Sequence, residues 1–102
     1  MHTQVTTETY RQLIESTEDG ILLCSKKLCP HCKNMKVVME KFASKKPNVK
    51  LLTLDSEEEP EAMAALYAER VPTIIIIKGG KVVAQKTGLL NPRDLETFYT
   101  QA

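Results

Sequence analysis

Apolar residues along the chain recur at helical spacing in some stretches and run without interruption in others, and the two patterns alternate. Tyr10, Leu13 and Ile14 fall at i, i+3 and i+4, behind threonines suited to a cap and ahead of Gly20, so the spacing predicts a first helix near 7–18. Ile21 to Cys24 is a short unbroken apolar run, which suits a strand covered on both faces, and it is read as a central strand. Beyond Pro30, the set Met35, Val38, Met39 and Phe42 returns to helical spacing until Pro47 closes the segment, giving a helix of about four turns. Val49 to Asp55 reads as a second strand, and the strand-helix-strand order predicts a parallel pair with a right-handed crossover.

Glu57-Glu58-Glu59 with Pro60 marks another helix start, because acids favour the positive end of the helix dipole and proline fits the first turn. Met63, Leu66 and Tyr67 are assigned to its buried face. Pro72 precedes Thr73 to Ile77, a β-branched run, and Gly79-Gly80 separates that run from Val82 to Ala84, the spacing of a tight antiparallel hairpin. Asn91 caps a last helix that opens on Pro92 and carries Leu95, Phe98 and Tyr99 inward. A strand before the first helix can be only a few residues long. The prediction is an α/β fold: a central mixed β-sheet flanked by helices on both faces, in the order βαβ then αββα.

Length and charge narrow the reading. The 102 residues suit one domain, 1–102, and 42% hydrophobic residues can bury roughly two thirds of the unfolded surface without metal or disulfide staples. Fourteen basic against thirteen acidic residues give a net charge of +1, which argues against a nucleic-acid partner. The opening residues lack a basic and then apolar leader, and no apolar run is long enough to span a membrane, so a cytoplasmic protein without membrane contact is expected; a monomer is the default expectation, with nothing in the sequence that reveals the oligomeric state. Three cysteines are too few and too odd for a secreted disulfide scaffold; in a reducing compartment a close pair reads as redox or metal chemistry.

That pair is Cys29 and Cys32 in Cys29-Pro30-His31-Cys32, where a central strand hands over to a helix, the place where sites collect in open α/β sheets. Unpaired N–H groups and the dipole at a helix start favour an anion, so the Cys29 thiolate is expected to form below the free value of about 8.5. Cys29 is the expected nucleophile, and Cys32, one turn further in, the expected resolving thiol. A protonated His31 would add to the stabilisation, as would Lys26, Lys27, Lys33 and Lys36, with no acid between Ser25 and Lys36. A less reducing couple than usual follows, because about 30 mV corresponds to about 1.4 kcal/mol for two electrons. Other readings use the same residue types: two structural cysteines, a solvated His31, or a zinc or copper(I) site. A closed zinc site needs four ligands, and Cys24 with the distant His2 does not complete one. Cys24 itself reads as a small core hydrophobe.

Taken together, Cys29-Pro30-His31-Cys32, Val71-Pro72-Thr73 before an isoleucine strand, Lys78-Gly79-Gly80-Lys81-Val82-Val83 and Gly88 resemble the thioredoxin family over nearly the whole chain. That resemblance implies a thioredoxin fold and reversible dithiol-disulfide exchange on protein disulfides. It needs no bound cofactor, but an external donor such as a flavin- and NADPH-dependent thioredoxin reductase. It makes Val71-Pro72 the cis-proline loop that pairs with substrate backbone, although an X-Pro bond taken alone is expected trans, and makes Gly88 the glycine of the same groove. Pro30 and His31 are similar to the dipeptide of the oxidising DsbA group. Glutaredoxin shares the CPxC and Val-Pro features, but here Gly79-Gly80 makes the hairpin itself.

Several positions depart from the family. Leu28 and Ser25 stand where tryptophans are usual, and Val37 where a kinking proline often sits, which predicts a straighter helix. Leu23 occupies the place of the buried aspartate and Leu51 that of its lysine partner, a coherent joint loss, since removing one alone would strand a buried charge. Deprotonation of Cys32 then falls to water or His31. A metal-binding module and a thioredoxin-fold interaction domain remain the alternatives.

Overall fold

A computed structural model describes residues 2–102. It contains β1 (Thr3–Val5), α1 (Tyr10–Glu15), β2 (Asp19–Ser25), α2 (Pro30–Lys45), β3 (Lys50–Asp55), α3 (Pro60–Ala65), β4 (Thr73–Lys78), β5 (Lys81–Thr87) and α4 (Pro92–Gln101). The five strands form one sheet in the order β1-β3-β2-β4-β5. β1, β3 and β2 are parallel, while β4 runs antiparallel to β2 and β5 antiparallel to β4.

Unbroken apolar strands make sense because both faces of this sheet are covered. Ile21, Leu23, Leu51, Ile74 and Ile76 turn to one face, where Met35, Met39 and Phe42 of α2 and Leu95 and Tyr99 of α4 pack against them. Their neighbours Leu22, Cys24, Leu52, Leu54, Ile75 and Ile77 turn to the other, against Ile14 of α1 and Ala62 and Met63 of α3. Successive strand residues point to opposite faces, so each residue of these runs enters a core. Each buried aliphatic side chain contributes about 1.5–3 kcal/mol relative to exposure, which makes β2, buried along nearly its whole length, the centre of the fold.

Two helix boundaries differ from the expectation. α1 is one and a half turns rather than the span 7–18, because Thr6–Thr9 spend their polar groups on a turn: Thr6 N–H donates to Thr9 Oγ1 at 2.9 Å. α3 also ends early, at Ala65, and Tyr67 is not on a buried face: its φ is +58° and its side chain is 88% exposed. Leu66 is half-buried against the core as assigned, and Ala68, buried, takes the place given to Tyr67. The β4-β5 hairpin is longer than expected and carries a bulge, with Ile77 opposite Val82 but Ile76 opposite Ala84. Its turn needs glycine at Gly80, where φ is +76° and an added Cβ would lie 2.6 Å from the carbonyl oxygen of Glu15.

α4 is fixed at both ends. Asn91 Oδ1 accepts from Asp94 N–H at 2.8 Å, the expected cap. At the other end Lys78 Nζ donates to the carbonyls of Tyr99 (2.8 Å) and Ala102 (3.1 Å), placing a cation on the negative end of the helix. Within the core the Tyr99 ring meets Phe42 at 5.1 Å between centroids, and its hydroxyl donates to Asp19 Oδ1 at 3.3 Å. No helix among the described residues is long and apolar enough to cross a membrane.

Burial, and then the Asp19 charge and hydrogen bond, push the Tyr99 hydroxyl from its ordinary 10 up to about 12. A raised folded-state value means that the stability is present in full below pH 10 and is lost as pH rises toward 12. Denaturant unfolding across that window is expected to show a decline that Tyr99→Phe reduces. At neutral pH the same variant should cost about 1 kcal/mol for the lost hydrogen bond.

Candidate functional site

β2 delivers the chain to one end of the sheet, and residues 26–28 lead from there into α2. Proline at the first helical position, with its fixed φ, starts that helix, and the residue before it, Cys29, adopts an extended backbone at the N-cap. Serine, threonine, asparagine or aspartate usually accepts a first-turn N–H at such a position. Here a sulfur does so: Cys32 N–H donates to Cys29 Sγ at 3.2 Å. Cys29 and Cys32 are joined as a disulfide with their Cα atoms 5.2 Å apart. Cys29 is 7% exposed and Cys32 2%, so the outer sulfur is the more accessible.

The antiparallel course of β4 and β5 brings two further predicted residues to this end. Pro72 sits just before β4 and Gly88 just after β5, while Thr73 pairs in register with Cys24 near the end of β2. The Val71-Pro72 peptide bond is cis, as the family resemblance implied and general proline statistics did not. Gly88 N–H donates to the Pro72 carbonyl at 2.8 Å, and Gly88 has a φ of +108°, a conformation that needs glycine. Thr73, fully buried, bridges the loop to β5 through Oγ1, which donates to the Arg70 carbonyl and lies 3.2 Å from Thr87 Oγ1. Sequence reasoning did not single out Thr73, whose hydroxyl in a β-branched run carries no separate signal.

The electrostatics are uneven. His31, Lys26, Lys27, Lys33 and Lys36 are all exposed around the cysteines, as is Leu28, at 91%. Behind them the core is apolar: Leu23 and Leu51 are buried in the same cluster, on adjacent strands and two register positions apart. Val37 is exposed, and α2 runs without interruption for 16 residues. Cys24 lies on the opposite face from Leu23, and burial pushes its thiol from 9 up to about 12, which makes it a core residue with little thiolate character. Among the described residues no group of three or more His, Cys, Asp or Glu side chains is placed to hold a metal ion.

The family model Thioredoxin matches residues 1–101. The chain belongs to the thioredoxin family. Its structure is similar to the solution structure of desulfothioredoxin from Desulfovibrio vulgaris Hildenborough in its reduced form, with a TM-score of 0.88, 41% identity, and coverage of 100% of this chain and 97% of that one. The crystal structure of thioredoxin from Trypanosoma brucei brucei shares the fold, with a TM-score of 0.86 at 24% identity over 99% of this chain and 89% of that one. In sequence, the chain is 33% identical to a thioredoxin of Chlamydia trachomatis over 61 residues, 60% of this chain, and spans 60% of that relative's length. The thioredoxin fold, the mixed sheet and the close cysteine pair are therefore those of the family.

Placing a single acid in the apolar Leu23-Leu51 pair should expose what that pair avoids. Leu23→Asp is expected to lower stability by about 3–5 kcal/mol at pH 7, because the new carboxylate has no partner, and adding Leu51→Lys should recover part of the loss. A double-mutant cycle in denaturant measures that coupling; equal losses with and without the lysine would show that the two sites do not interact.

Proposed function

We propose that this chain is a thiol-disulfide oxidoreductase that exchanges electrons reversibly with protein disulfides through Cys29 and Cys32. The observation that carries the reading is the cap: Cys29 Sγ already accepts the Cys32 N–H at the positive end of α2. In the reduced protein the same donor and dipole would stabilise a thiolate on that sulfur.

The Cys29 thiolate attacks one sulfur of a substrate disulfide, the substrate S–S bond breaks, and the leaving thiolate takes up a proton. The mixed disulfide so formed is resolved when Cys32, deprotonated, attacks Cys29 Sγ and releases the second substrate thiol. The substrate gains two electrons, and the protein is left with the Cys29-Cys32 bond. Leu23 gives this step no buried carboxylate, so water or the exposed His31 serves as proton acceptor. The Val71-Pro72 loop and Gly88 form the groove for substrate backbone beside the cysteines. No resident cofactor enters the cycle, and a reductase of the flavin- and NADPH-dependent class returns the disulfide to the dithiol.

His31 between the cysteines and four exposed lysines nearby favour the reduced, ionised form. That makes the couple less reducing than ordinary thioredoxins. We place the protein in the cytoplasm, acting as a monomer on disulfide-bearing proteins.

Order of attack is testable by trapping. Reduced Cys32→Ser mixed with a disulfide-bonded protein is expected to accumulate a stable covalent adduct through Cys29, visible as a mass shift that dithiothreitol reverses. Cys29→Ser should form far less. Equal trapping by both variants would remove the assignment of roles, and stoichiometric zinc or copper(I) in the purified wild type would turn the reading toward metal binding.

A further inference from the structure

The end of β5 and the residues that follow it, Thr87 to Leu90, are tied down on two sides. On one side Gly88 N–H donates to the Pro72 carbonyl at 2.8 Å, and Thr87 Oγ1 lies 3.2 Å from Thr73 Oγ1. On the other, the buried Leu90 N–H donates to the thioether Sδ of Met35 at 3.4 Å. Leu90 is 5% exposed, and its N–H meets no backbone carbonyl among the described residues. Buried N–H groups are nearly always paired, and a thioether is a weak acceptor that seldom takes that part.

Met35 connects this segment with the cysteines. It is fully buried on the inner face of α2, one turn beyond Cys32, and shares a core with Leu90. A chain of contacts therefore runs from Cys32 along α2 to Met35, across to Leu90, back to Gly88 and on to Pro72. Filling space does not require sulfur here, because leucine has a similar volume and exchanges with methionine in cores at little cost. What leucine lacks is an acceptor. The Leu90 N–H would then be stranded, and it could be relieved only if the segment moved outward to water. Met39 is a built-in comparison: it lies one turn further along the same face, equally buried in the same core, with no hydrogen bond to its sulfur among the described residues.

Resting on the thiol-disulfide exchange proposed above, we infer that Met35 is a positioning residue for polypeptide substrates: its thioether holds residues 88–90 against α2 and so keeps the Gly88 wall of the groove in place beside the cysteines. The bond touches neither reacting sulfur. Its loss acts on substrates that lie along the groove and spares those that reach only Cys29.

Met35→Leu and the matched Met39→Leu, both reduced, are compared with wild type in single-turnover reaction with a disulfide-linked pair of short peptides and with 2-hydroxyethyl disulfide. Met35→Leu is expected to react about fivefold more slowly with the peptide disulfide, the size of one net hydrogen bond. It should keep the wild-type rate on 2-hydroxyethyl disulfide and the wild-type potential, while its Leu90 amide exchanges with solvent about tenfold faster. Met39→Leu should change none of these. If Met35→Leu does not fold, norleucine in place of methionine in a Met39→Leu, Met63→Leu background removes the same sulfur with the chain length kept, and the same results are expected. Equal effects of the two leucine variants, an unchanged Leu90 amide, or an unchanged peptide rate overturns the inference and leaves the oxidoreductase reading standing. So does a parallel fall on 2-hydroxyethyl disulfide, which would place the effect at the cysteines. A wild type inert toward every disulfide offered overturns both.

Discussion

The hydrogen bond from Cys32 N–H to Cys29 Sγ joins two requirements in one atom, because a helix needs an acceptor over its first turn and exchange chemistry needs a sulfur that tolerates negative charge. The rest of the molecule serves to hold that turn in place. Pro30 fixes where α2 begins, and Met35, Met39 and Phe42 anchor its inner face to the sheet. A cap made by serine or aspartate would start the helix as well, but it would leave no sulfur at the positive end.

Sheet topology then decides what surrounds the pair. Because β4 runs antiparallel to β2 and β5 runs antiparallel to β4, the start of β4 and the end of β5 arrive at the carboxyl end of β2. That geometry brings Pro72 and Gly88, 16 positions apart in sequence, within one 2.8 Å hydrogen bond. The two cores fix this arrangement from both sides, and their apolar character continues behind the cysteines through Leu23 and Leu51. The cysteine pair therefore sits between an apolar interior and a basic, exposed rim.

Much of this was legible in the chain. Continuous apolar runs marked β2 and β4 because both faces of the sheet are buried, and Asn91-Pro92 and Pro30 marked helix starts through geometry that proline and asparagine impose locally. The cysteine pair and the cis Val71-Pro72 bond were legible as motifs, the second through resemblance, since nothing local distinguishes a cis from a trans proline. Helix ends were harder to read. α1 ends at Glu15, well before Gly20, and α3 ends at Ala65, so Tyr67, at helical spacing from Met63, looked like a core residue and lies on the surface instead. The sulfur cap and the Thr73 bridge were invisible, because each depends on where two backbone segments meet in space.

The account is tested most directly by the equilibrium potential of the Cys29-Cys32 couple, measured by titration against glutathione with acid trapping and mass readout. It predicts a single reversible two-electron transition more oxidising than about −270 mV, the thioredoxin reference. Absence of an intramolecular disulfide at any poise would contradict the central claim, and a potential at or below that reference would contradict the role given to His31 and the lysine rim.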